Sequence, residues 1–149
     1  MTGDKQSIKG KRRARKLVVQ ALYQRHISGD DLAAIEAQFR AIHVSDNVDL
    51  DYFCRVFYGV SNDLARLDQA FEPFLDRKIE SINPIELTIL RLGTFELLDT
   101  LEIPYRVVFD EAVTLAKTFG AQDGHRYVNG VLNQVAKQVR AVEIDAKLS

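Results

Sequence analysis

The chain has 149 residues, 46% of them hydrophobic and 28% charged, with a formal net charge of −1. That length buries a full core without disulfides or metal, and the composition excludes wholesale disorder, collagen and a membrane protein. No apolar run approaches the ~20 residues of a transmembrane helix, and no apolar stretch of a secretory signal follows the polar N-terminus. Cys54 is the single cysteine, which rules out an internal disulfide or a cysteine-rich zinc site and points to a reducing cytoplasm.

The charge is unevenly spread. Residues 1–16 hold seven basic residues and one acid, Asp4, a net of +6, whereas the rest holds 13 basic and 20 acidic residues, a net of −7. A basic segment on an acidic body fits an anionic partner, most commonly nucleic acid, and it also fits a solvated tail.

Residues 1–8 read as a flexible basic arm. A helix follows from about Lys9 to Ser28, with Ala14, Leu17, Val18, Ala21 and Leu22 at helical spacing. Gly29 stops it, and Asp30 or Asp31 can cap the next helix, whose stripe is Leu32, Ile35, Phe39 and Ile42. A long third helix is expected from about Val48 to Phe71. Pro73 breaks the pattern, and a short turn is expected over 74–79. Asn83-Pro84-Ile85-Glu86 is a strong helix start, with a capping Asn, Pro at the first helical position and an acid at the capping-box position. That helix runs to about Leu98. Another follows Pro104 and stops at Gly120, and the last runs from about Asp123, as cap, to Val139. Residues 141–149 read as a frayed tail. Strand alternation is absent, so the prediction is an all-α, single-domain bundle of six to seven helices over residues 9–140.

On a helical wheel the first helix divides into two faces. Arg13, Arg15 and Lys16 fall opposite the core stripe together with Arg12, and Val19, Gln20 and Tyr23 share that outer arc. Cations at helical spacing bind phosphates, and a flat π surface with a neighbouring amide suits unpaired RNA bases. Catalytic signatures are absent: there is no phosphate-binding loop, no dinucleotide fingerprint and no nucleophile elbow. The histidines, at 26, 43 and 125, lack metal-ligand spacing, and no metal or cofactor is expected.

Three blocks carry a family resemblance: R-R-A-R-K-L-V-V-Q-A-L-Y at 12–23, I-P-Y-R-V-V-F-D-E-A-V-T-L-A-K-T-F-G-A at 103–121, and D-G-H-R-Y-V-N-G-V-L-N at 123–133. The chain resembles the NusB family of bacterial transcription antitermination factors. The resemblance implies an all-helical, non-catalytic, cytoplasmic protein. It implies binding to the boxA element of nascent rRNA leaders together with NusE, a small-subunit ribosomal protein, within an antitermination complex on RNA polymerase. It places the RNA surface on Arg12, Arg13, Arg15, Gln20, Tyr23, Phe74, Phe119, Asp123 and Tyr127, to which the wheel adds Lys16. It places the NusE surface on the helix after Asn83 and those following, including Glu86. Phe74 stands where the family pattern has tyrosine, and Gly124 where serine is common. Two other readings compete. One is a helical protein-interaction module with a solvated basic tail. The other is the related domain fused to rRNA cytosine methyltransferases, which needs a catalytic domain that does not follow here.

Overall fold

The computed structural model describes the backbone of residues 2–148 and the side chains of residues 7–146. Among these residues it is all-α, as expected, with eight α-helices and no strand. The chain divides into two compact units, residues 1–62 and 63–149.

The first unit holds α1 (Thr2–Ser28), α2 (Leu32–His43) and α3 (Leu50–Ser61). Helix α1 begins seven residues before its expected start, so residues 2–8, expected as a flexible arm, continue the helix. Met1 lies outside the described residues. Gly29 ends α1 at φ 70°, a left-handed position that glycine adopts without a Cβ penalty. Asp31 holds the N-cap position of α2, but its side chain makes no capping hydrogen bond. Asp49 does cap α3, accepting from the Tyr52 N–H at 2.9 Å. The core is the expected α1 stripe against Ile35 and Phe39 of α2 and Phe53, Val56, Phe57 and Val60 of α3. Within it Phe39, Phe53 and Phe57 form a stacked column with centroids 5.7 and 5.6 Å apart.

The outer side of α2 and α3 is joined by polar groups. Glu36 accepts from Tyr58 Oη at 2.6 Å, from Arg40 Nε at 2.8 Å and from the Cys54 thiol at 3.3 Å. Led by the Tyr58 hydrogen bond, these donors hold the Glu36 carboxyl down at about 2, and the same bond pushes the Tyr58 phenol up to about 12. Burial first, and then Glu36, raises the Cys54 thiol, which opposes thiolate chemistry there.

The expected third helix is two helices. α3 stops at Ser61 and α4 (Leu64–Phe71) starts three residues later in the second unit. Asn62 and Asp63 lie outside helical geometry, at φ −91°, ψ 2° and φ −142°, ψ 31°. Side chains of this type favour local backbone hydrogen bonds over helix continuation. Two 3₁₀ turns, Glu72–Phe74 and Ile79–Ser81, occupy the segment around the expected turn.

The remaining helices are α5 (Pro84–Asp99), α6 (Tyr105–Phe119), α7 (Gly124–Val139) and α8 (Ala141–Leu148). The start of α5 follows the sequence, with Asn83 accepting from the Ile85 N–H at 2.9 Å. Its residues 86–90 and 92–97 are all buried, because α4, α6 and α7 pack around it. At Gly93 an added Cβ would lie 2.7 Å from a Leu132 methyl, so this glycine lets α7 approach closely. The predicted frayed tail is instead helix α8. Its entry is fixed by Arg140, whose buried guanidinium donates to the carbonyls of Glu96, Leu97, Thr100 and Ile103 at 2.8–3.2 Å and to Glu143 at 2.6 Å. The other Glu143 oxygen accepts from the Tyr105 N–H at 3.0 Å.

The Glu36 cluster gives stability a defined pH dependence. A carboxyl whose folded pKa is lowered contributes fully above its unfolded value near 4.5, and the contribution is lost as pH falls toward about 2. In urea titrations the parent is expected to lose stability across that window. Glu36→Gln should be less stable at pH 7 and show a shallower loss across the window, and an unchanged acid slope would contradict the assignment.

Candidate nucleic-acid interface

Helix α1 buries more of its surface than a single core stripe requires. Besides Ala14, Leu17, Val18, Ala21 and Leu22, it buries Val19 at 1% exposure and Arg15 at 3%. Both were expected on the outer arc, so the outer arc is narrower than the wheel suggested. The Arg15 guanidinium lies over the Tyr52 ring, 5.6 Å from its centroid. The Lys11 ammonium is 5.4 Å from the same centroid and 3.5 Å from the Asp49 carboxylate. Tyr52 thus holds two of the basic side chains against α3, and Arg15 is corrected from a surface cation to a buried one.

Arg12, Arg13, Lys16, Gln20 and Tyr23 are exposed. They form a continuous basic and polar stripe on one side of α1. Arg13 also donates from Nη1 to the Asn47 carbonyl at 3.0 Å. That bond draws the loop between α2 and α3 toward the stripe and frames a cleft of about 540 Å³. Arg13, Lys16, Leu17 and Gln20 line one wall, and His43, Ser45, Asp46, Asn47 and Val48 line the other. Sequence reasoning assigned no role to Ser45, Asp46 or Asn47, because the segment between the expected second and third helices shows no motif.

The remaining expected RNA residues belong to the second unit. Phe74, at the end of a 3₁₀ turn, and Phe119, at the end of α6, are half-buried. Gly120 stops α6 as expected, with its N–H 2.8 Å from the Ala116 carbonyl. A Cβ there would sit 2.7 Å from that oxygen. Tyr127 is half-buried, and its ring carries the Arg77 guanidinium 4.5 Å from the centroid. Arg77 is itself held by Asp76 at 2.6 and 3.2 Å. Burial pushes the Tyr127 phenol up. Arg77 is a cation beside an expected RNA residue that sequence reading missed, since it stands in an unpatterned loop.

Asp123 departs from its expected role. It precedes α7 in left-handed geometry, φ 67°, and its side chain makes no capping hydrogen bond. In that conformation the carboxylate is exposed, and the Arg126 guanidinium is 3.9 Å away. The charge at this helix start comes from Glu86. Its carboxylate lies so close to Gly124 that an added Cβ would be 2.5 Å from Oε2. A carboxylate at a helix N-terminus is favoured by the helix dipole. Gly124 therefore makes room for Glu86, and Glu86, expected on a partner surface, is 8% exposed.

With this geometry in place, comparison with known proteins is decisive. The NusB family model matches residues 12–137. The chain belongs to the NusB family. It is 59% identical over 141 residues to the transcription antitermination protein NusB of Legionella pneumophila (strain Corby), covering 95% of this chain and 96% of that protein. Among solved structures it is similar to T. maritima NusB, with a TM-score of 0.76 and 29% identity over 85% of this chain and 90% of the other. A structure of antitermination factors NusB and NusE in complex with double-stranded RNA shares the fold. Its TM-score is 0.73 at 23% identity, over 85% of this chain and 95% of that one. The exposed stripe of α1 lies within the span matched by the NusB family.

Burial separates the arginines of this stripe. Arg15→Ala is expected to cost roughly 1–3 kcal/mol in urea unfolding, through lost packing and lost contact with Tyr52. Arg12→Ala, at an exposed position, should cost less than about 1 kcal/mol. Equal costs would contradict the division of α1 into these two faces.

Proposed function

We propose that this protein is a cytoplasmic, non-catalytic RNA-binding factor in transcription antitermination. It binds the boxA element of nascent rRNA leaders together with NusE, as part of the antitermination complex on RNA polymerase. The observation that carries this reading is the exposed α1 stripe in a chain of the NusB family. Arg12, Arg13 and Lys16 supply phosphate contacts, and Gln20 and Tyr23 supply an amide and a π surface for unpaired bases. Arg15 acts indirectly, by fixing α1 against Tyr52. In the second unit Phe74, Phe119 and Tyr127 supply aromatic surface, with Arg77 as an added cation on Tyr127. Asp123 is the acid of this set and lowers phosphate affinity by repulsion. Glu86 supports NusE binding through the start of α7 rather than by direct contact, and the exposed residues of the surrounding helices make that contact. No described helix is long and apolar enough to cross a membrane.

The test is an RNA titration at several salt concentrations. Three phosphate contacts at about 0.7 each predict a slope of log affinity against log salt of about −2, and Arg12→Ala should reduce its magnitude by about 0.7. Absence of binding to single-stranded boxA RNA at low salt, with NusE present, would refute the reading and leave a helical protein-interaction module.

A further inference from the structure

The α1 cleft has a second wall, and its chemistry differs from that of the first. Wall one carries cations, Arg13 and Lys16, suited to phosphate. Wall two, formed by the last residue of α2 and the loop between α2 and α3, carries an imidazole, a hydroxyl and an amide on His43, Ser45 and Asn47. These neutral groups donate and accept hydrogen bonds, which suits base edges, and unlike the cations of wall one they do not favour phosphate through charge.

The loop is held in place before any ligand arrives. Its Asp46 N–H donates to the His43 carbonyl at 3.1 Å, and Val48 N–H donates to the Asp46 carbonyl at 2.9 Å. At its end, Asp49 N–H donates to the Gly10 carbonyl of α1 at 3.1 Å, and Arg13 holds the Asn47 carbonyl. The His43 ring is fixed twice. It stacks on Phe39 with centroids 6.1 Å apart and planes at 23°, and its Nδ1 lies 2.7 Å from the Asp46 carboxylate. In the neutral ring, donation from Nδ1 to Asp46 leaves the lone pair on Nε2 as an acceptor. A rigid acceptor beside a hydroxyl and an amide is a preorganised hydrogen-bonding edge. The cleft volume of about 540 Å³ lies within the usual range for small-ligand sites.

We propose that this cleft holds one unpaired nucleotide of a single-stranded RNA, with its phosphate on Arg13 and Lys16 and its base edge read by His43, Ser45 and Asn47. This rests on the RNA-binding function proposed above and assigns to the loop the part of sequence selectivity that the basic stripe lacks. Asp46 contributes by orienting His43, and its carboxylate excludes a second phosphate from the loop wall.

The test measures binding by fluorescence anisotropy. The probes are a labelled single-stranded RNA carrying boxA and a scrambled RNA of the same composition, each titrated with NusE present at several salt concentrations. Asn47→Ala and His43→Phe, the latter keeping the ring on Phe39, should each weaken boxA binding several-fold, up to about tenfold. Binding to the scrambled RNA and the salt slope should stay unchanged. Ser45→Ala, on an exposed loop residue, provides the same readout should either of the others lose its fold. If both RNAs weaken equally, the loop acts on the backbone and the proposal is wrong. If no loop variant changes boxA binding while Arg12→Ala still weakens it, the loop has no role, although the RNA-binding function stands. If the parent binds neither RNA, both fall together.

Discussion

One buried guanidinium closes the second half of this chain. Helix α5 is buried almost along its whole length, so its C-terminal carbonyls cannot all turn to water. Arg140 reaches back from the end of α7 and satisfies those of Glu96, Leu97 and Thr100, together with that of Ile103 in the connection to α6. Thr100 adds its own hydroxyl to Glu96 at 2.7 Å. A lysine has three donors on one atom and could not span this set, whereas the five donors of an arginine fork can. The cost of burying the charge is offset by Glu143, which pairs with Arg140 through one oxygen and receives the first N–H of α6 through the other. The end of α5, the start of α6 and the start of α8 therefore share one ion pair. Removing Glu143 would leave the Arg140 guanidinium buried without its carboxylate, a change with a large cost.

The same economy of placement governs the cations of α1. Tyr52, itself buried, takes Lys11 and Arg15 onto its ring, which orders α1 against α3. The cations that stay exposed, Arg12, Arg13 and Lys16, then sit on a rigid helix rather than on a loose tail. A rigid stripe pays less ordering entropy on binding than a flexible arm. Arg13 goes further, because its bond to Asn47 ties the stripe to the neighbouring loop and turns a flat face into a cleft.

Much of this was legible in the residues. The all-α class, the stop at Gly29, the Asn83-Pro84 start and the Gly120 stop follow from local chemistry that tertiary contacts did not override. The core face of α1 was also readable, but its width was not. A wheel centred on one stripe has no means of knowing that α1 is covered over an arc wide enough to take in Arg15 and Val19. The break at Asn62-Asp63 was hidden because apolar spacing happens to continue across it. Helix α8 was hidden because its anchor, Arg140, is a charged residue whose partners are carbonyls some 40 positions earlier. Asp123 has the right residue type and position for a cap, yet its left-handed backbone turns the side chain away. The Glu86 charge stands at that helix start in its place, through space that Gly124 leaves open. The cleft loop carried no signal at all, since its role depends on where Arg13 pulls it.

The central claim is that the exposed stripe of α1 is the RNA surface, and it is tested most directly by following backbone amide resonances during titration with single-stranded boxA RNA. The account predicts the largest shift changes in residues 12–23 and in the loop at 43–48. Changes confined to α5 through α8, with the α1 amides unmoved at saturation, would contradict it.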